Sequence, residues 1–100
     1  MAIADVVQRG AAYYIFDGSG KQTATIPTQI GELLGIGIDF IVLERSGLYL
    51  TYDEKGKQIA TLPSQVGVFK NVAGSSFNLL FNGMIHSYNK KCQKIGSRPA

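Results

Sequence analysis

The chain has 100 residues, enough for one small domain with a single core. Its hydrophobic share of 45% excludes a disordered segment, and its single cysteine, Cys92, excludes an internal disulfide. The formal net charge is +3, but it is unevenly spread: residues 1–54 hold all seven acids and net −4, while residues 55–100 hold no acid and net +7. Such asymmetry points to a basic end for nucleic acid or to two complementary surfaces for self-association.

The N-terminal MAIADVVQRG has no basic leader and no continuous apolar run, so no signal peptide is expected, and a cytoplasmic location follows. Ala4–Arg9 is expected to be a strand. Ala12–Phe16 is a second, with clear alternation. One face carries Ala12, Tyr14 and Phe16, the better core candidate. The other carries Tyr13, Ile15 and Asp17. Asp17-Gly18-Ser19-Gly20 then reads as a hairpin turn. Its carboxylate accepts from amides two residues on, and its last glycine takes φ > 0. The same stretch, GSGKQT, fails as a phosphate loop, because Ile15 and Gln22 stand where that pattern needs Gly and Ser or Thr. Lys21–Ile26 closes the hairpin as a third strand.

Residues 27–37 read as a long connection. From Ile30 to Ile38, the apolar side chains Ile30, Leu33, Leu34, Ile36 and Ile38 exceed what an exposed loop carries. Residues 28–37 are expected either to form an interface between copies or to plug the chain's own core. With Glu32 and Asp39 inside it, the apolar run Ile30–Leu43 is too short and too charged to span a membrane.

Ile38–Arg45, Leu48–Tyr52 and Lys57–Leu62 then repeat the three strands. Residues 15–31 and 51–67 are identical at nine of seventeen positions, 36 residues apart, and Asp53-Glu54-Lys55-Gly56 repeats the turn. A third, divergent unit follows: Ser76–Asn82, Met84–Tyr88 and a weak Gln93–Ile95. Asn82-Gly83 is a strong two-residue hairpin signal. Cys92 stands where Gly20 and Gly56 stood, so the third hairpin is expected to be distorted or frayed. A period of this size marks a supersecondary unit that buries its apolar face on its neighbours.

The chain is therefore expected to be a single all-β domain, with units at about 4–37, 38–75 and 76–100. The expected fold is an antiparallel meander of about nine short strands in a curled sheet or small barrel. A trefoil-like arrangement is the alternative.

Candidates for chemistry are few. His86 is the sole histidine, on the expected core face, and Cys92 lies six residues on; no acid follows Glu54 to orient the pair. One His and one Cys fall short of a metal site, and no cofactor is expected. Tyr13 and Tyr49, read as outward-facing, with Lys21 and Lys57 on adjacent strands, form a repeated aromatic-plus-basic pair suited to stacking single-stranded bases. The expected function is a non-enzymatic interaction module that self-associates. A single-stranded nucleic-acid-binding β domain is the alternative.

LYLTYDEKGKQIATL resembles the YD repeat of large bacterial toxin and wall-associated shells, which implies a β-hairpin. MAIADVVQRG, FDGSGKQTATI and ERSGLYLTYDEKGKQIATL are similar to short bacterial proteins associated with mobile gene cassettes. Those begin Met-Ala-x-Ala and repeat Arg-Gly-x-Tyr-x-Tyr-x-Tyr-Asp-x-x-Gly-Lys-Gln. They have two units, and no activity or site residue carries over from them.

Overall fold

A computed structural model describes residues 2–100. Among these residues the fold is all-β, with eleven strands in three antiparallel sheets. The first sheet holds β1 (Ile3–Arg9), β2 (Ala12–Asp17) and β3 (Gln22–Pro27). The second holds β4 (Glu32–Ile36), β5 (Phe40–Arg45), β6 (Leu48–Asp53) and β7 (Gln58–Pro63). The third holds β8 (Val68–Ala73), β9 (Ser76–Phe81), β10 (Met84–Asn89) and β11 (Lys94–Pro99). Within each sheet the strands pair in chain order, so the antiparallel meander is as expected. It does not close into a barrel and it is not a trefoil. Each meander stays a separate sheet, and the sheets stack.

The stacking is visible in two separate cores. The first joins Tyr13, Ile15 and Ile26 of the first sheet to Ile41, Leu43 and Leu50 of the second. The second joins Phe40, Val42 and Tyr49 of the second sheet to Phe77, Leu79 and Tyr88 of the third. The middle sheet is therefore covered on both faces. This is why Phe40, Ile41, Val42 and Leu43 are consecutive and all fully buried, a pattern alternation cannot produce. The face expected to be the core in every unit is so only in part. Ala12, Tyr14 and Phe16 are half-buried and belong to neither core, because the first sheet has no layer before it.

Eleven strands stand in place of nine because the two connections contain β4 and β8, each after a one-turn 3-10 segment (Thr28–Ile30 and Ser64–Val66). Residues 28–37 thus serve the chain's own core. Ile30 and Leu33 pack against the first core and Leu34 against the second. Gly35 lets β4 lie close to the third sheet: a Cβ there would sit 2.5 Å from Val72 Cγ2. The sheets begin at 3, 32 and 68, so β4 belongs with the second unit rather than the first.

The turns keep the chemistry expected of them. Asp17 Oδ1 accepts from the Ser19 and Lys21 amides, and Asp53 Oδ1 from those of Lys55 and Lys57. Asn89 Oδ1 accepts from Lys91 and Gln93. Gly20, Gly56 and Cys92 have φ of 84°, 79° and 59°, and a bulge follows each turn in the ladder. The third hairpin is therefore formed, not frayed. Cys92 accepts the left-handed conformation, and β11 runs to Pro99.

Candidate functional site

Tyr13 and Tyr49 do not face outward. They are 4% and 3% exposed, because their face of each sheet is the one covered by the next sheet. Each is a joint. The Tyr13 hydroxyl donates to the Gly31 carbonyl at 2.9 Å and accepts from the Leu33 amide at 3.2 Å, both at the start of β4. The Tyr49 hydroxyl donates to the Gly67 carbonyl at 2.7 Å, at the start of β8, and burial pushes its phenol pKa up. Neither ring has a face free to stack a base. Lys21 and Lys57 remain exposed beside the turns, so the four residues are not brought together as an aromatic-basic surface. Nothing in the local sequence separates a buried tyrosine from an outward one. The signal lay in the repeat, since a unit that needs neighbours on both sides buries both faces.

The turns form a second set of joints. Thr23 Oγ1 donates to the Glu54 carbonyl and Thr51 Oγ1 to the Lys90 carbonyl, both at 2.6 Å. These carbonyls are 36 residues apart, so each unit's turn rests on the unit before it.

No hydrogen bond joins His86 to Cys92 among the described residues. His86 sits on the face of β10 toward the middle sheet, across from Leu79, with its ring 6.4 Å from that of Phe81. Its Nδ1 is buried with no hydrogen-bond partner among the described residues, so it does not meet the Cys92 thiol. Cys92 packs against the second core, and burial raises its thiol pKa against the opposing hydrogen bond with Thr51. A raised pKa keeps the thiol protonated and a poor nucleophile at neutral pH. Among the described residues no three His, Cys, Asp or Glu side chains gather.

A groove of about 350 Å³ opens on the second sheet, lined by Ile30 of the connection before it and by Leu48, Leu50, Tyr52, Arg45 and Gln58 with Ser46. No histidine, cysteine or carboxylate lines it. The charge asymmetry is partly satisfied within the chain. Lys90 Nζ meets Asp39 Oδ2 at 2.7 Å, and this bond raises the Lys90 pKa.

The stack has two open ends, and they differ. On the C-terminal sheet, Asn78 and Ser87 stand where the middle sheet buries Val42 and Thr51. There Asn78 donates to Asn71 at 2.8 Å and Ser87 donates to Asn78 at 2.6 Å, a polar row beside the apolar row of Val68, Leu80 and Ile85, of which Val68 and Leu80 are exposed. On the N-terminal sheet, Val7, Ala12, Tyr14 and Phe16 stand half-buried with no sheet above them. The residues at those positions in the middle sheet, Leu43, Leu48, Leu50 and Tyr52, face the first sheet, and Leu43 and Leu50 belong to the first core. This open apolar face is the feature that the fold leaves unexplained. Among the described residues, no helix is long and apolar enough to cross a membrane.

No protein-family model matches this chain, and no match is found among curated proteins.

Proposed function

We propose that the chain is a non-enzymatic interaction module that assembles with copies of itself. The observation that carries this is the open apolar face of the N-terminal sheet. Its positions, Val7, Tyr14 and Phe16, correspond by the 36-residue repeat to Leu43, Leu50 and Tyr52, which pack against another sheet. An apolar sheet face that its own repeat covers elsewhere is an interaction surface by construction.

The reading leaves the likeness to cassette-associated repeat proteins as a proposal about kinship. Binding of single strands loses its stacking platform with Tyr13 and Tyr49 buried. Light scattering on a size-exclusion column tests the proposal. A mass of twice the chain's 10.8 kDa or more is expected, and a monomer at high micromolar concentration refutes it. A salt-sensitive shift of labelled single-stranded RNA or DNA, with no self-association, would favour the nucleic-acid reading instead.

A further inference from the structure

We infer that the open face of the N-terminal sheet is a two-fold, self-complementary interface between two copies of this chain. The inference rests on the self-association proposed above and specifies the face and symmetry that achieve it.

The face is organised about one row. Val7 pairs with Tyr14 across β1 and β2, and Tyr14 pairs with Thr25 across β2 and β3. Directly opposed residues share a face, so all three lie on the open side. Two residues along on one side of the row lie Asp5 and Phe16, themselves partners. Two residues along on the other side lie Arg9 and Ala12, also partners. Asp5 and Arg9 are exposed, and Phe16 and Ala12 are half-buried.

Consider a two-fold axis lying along the row, parallel to the sheet. It places β1 of one copy over β1 of the other, running the opposite way. Asp5 then faces Arg9 of the second copy, and Arg9 faces its Asp5. Phe16 faces Ala12, and Ala12 faces Phe16. The charges are opposite at both ends, a large ring lies over a small side chain twice, and Val7 and Tyr14 meet their own copies at the centre. Sheets pack about 10 Å apart, a gap that arginine, aspartate and tyrosine side chains span from two sides. Few arrangements of six side chains are complementary to themselves under a two-fold.

The C-terminal face is the weaker match. Docking it there would bury the Asn71–Asn78–Ser87 row, whose amides and hydroxyl already bond to one another, against apolar residues. It would also be head-to-tail and extend without closing, whereas the two-fold arrangement closes as a dimer with the two C-terminal sheets at its ends.

Sedimentation equilibrium on the full chain tests this, with wild type, Tyr14→Asp, Asp5→Arg, Arg9→Asp and the double variant Asp5→Arg with Arg9→Asp. Circular dichroism confirms that each variant folds. The expected species is a dimer. Either single reversal opposes like charges at two places and weakens the dimer about tenfold or more. The double variant restores the pairs with their signs exchanged, returning dissociation to within about threefold of wild type. Tyr14→Asp is expected to be a folded monomer. A wild-type oligomer larger than a dimer, one indifferent to both single reversals, or one that the double variant fails to restore overturns this interface while leaving self-association standing. A monomeric wild type overturns both.

Discussion

β6 and β10 occupy the same place in the repeat, yet they live in different surroundings. Tyr49, Leu50 and Thr51 of β6 are buried one after another, because a sheet lies on either side. In β10, Ile85 and Tyr88 are buried, but Ser87 on the outer side is only half-covered, and so is His86 on the inner side. The substitutions follow the surroundings. Tyr49 bonds to the start of the next sheet and becomes Ile85, which has no further sheet to reach. Phe40 and Val42 become Ser76 and Asn78. The comparison teaches that a residue's fate here depends on which layer it is in more than on its place within the unit.

The strongest way to break this comparison is to truncate equivalent positions. Phe40→Ala empties part of the second core and should lower stability by about 3–5 kcal/mol. Ser76→Ala, one repeat later, should stay within about 0.5 kcal/mol. Denaturant melts of both decide it, and equal effects would mean that the middle sheet is not covered twice.

The turns sharpen the comparison next. Gly56 has φ 79°, and a Cβ there would lie 3.2 Å from that of Ala24. Gly56→Val should cost about 1–3 kcal/mol through strain at a left-handed position. Cys92 occupies the same geometry at φ 59°, so Cys92→Gly should gain up to about 1 kcal/mol. Thermal melts showing Gly56→Val level with the parent would remove the turn from the account.

Tyr49→Phe deletes the joint between the second and third sheets and leaves the Gly67 carbonyl without its donor, at about 1–3 kcal/mol. Tyr13→Phe should fall in the same range, and chemical denaturation measures both. The smallest effects are electrostatic. Lys90→Ala should cost under about 1 kcal/mol, since the pair with Asp39 is partly solvated.

The Asp17 carboxyl is held below its usual pKa, first by the Ser19 hydroxyl, with help from the Lys21 and Ser19 amides. A depressed carboxylate stabilises the fold fully above its unfolded pKa of about 4, and the contribution is lost as pH falls below that value. The Asp17→Asn variant should therefore flatten the acid limb of a stability–pH profile. An unchanged limb would assign acid sensitivity elsewhere.

Much of the fold was legible in the sequence. The repeat gave nine strands within a few residues, and the Asx turns and Asn82-Gly83 placed the hairpins, because these signals are local. What was not legible depends on neighbours. β4 and β8 were missed because Leu33 and Leu34 serve opposite cores from adjacent positions, so no alternation appears, and Gly31, Gly35 and Gly37 read as loop. Tyr13 and Tyr49 were misplaced for the same reason: period 2 divides a strand into two faces but does not say that both are covered. The open face was not legible, since Ala12, Tyr14 and Phe16 alternate as a core face does, and alternation does not say whether a layer covers it.

Amide hydrogen exchange tests the stacked arrangement most directly. Opening of a sheet covered on both faces requires both cores to part, so β5 and β6 amides should exchange slowest. Those of β9 should be intermediate, lying in a sheet covered on one face. β11, exposed along its whole length, should exchange fastest of the strands. Equal protection of β5, β6, β9 and β10 would contradict the account, because three stacked sheets cannot protect an outer layer as well as the one they enclose.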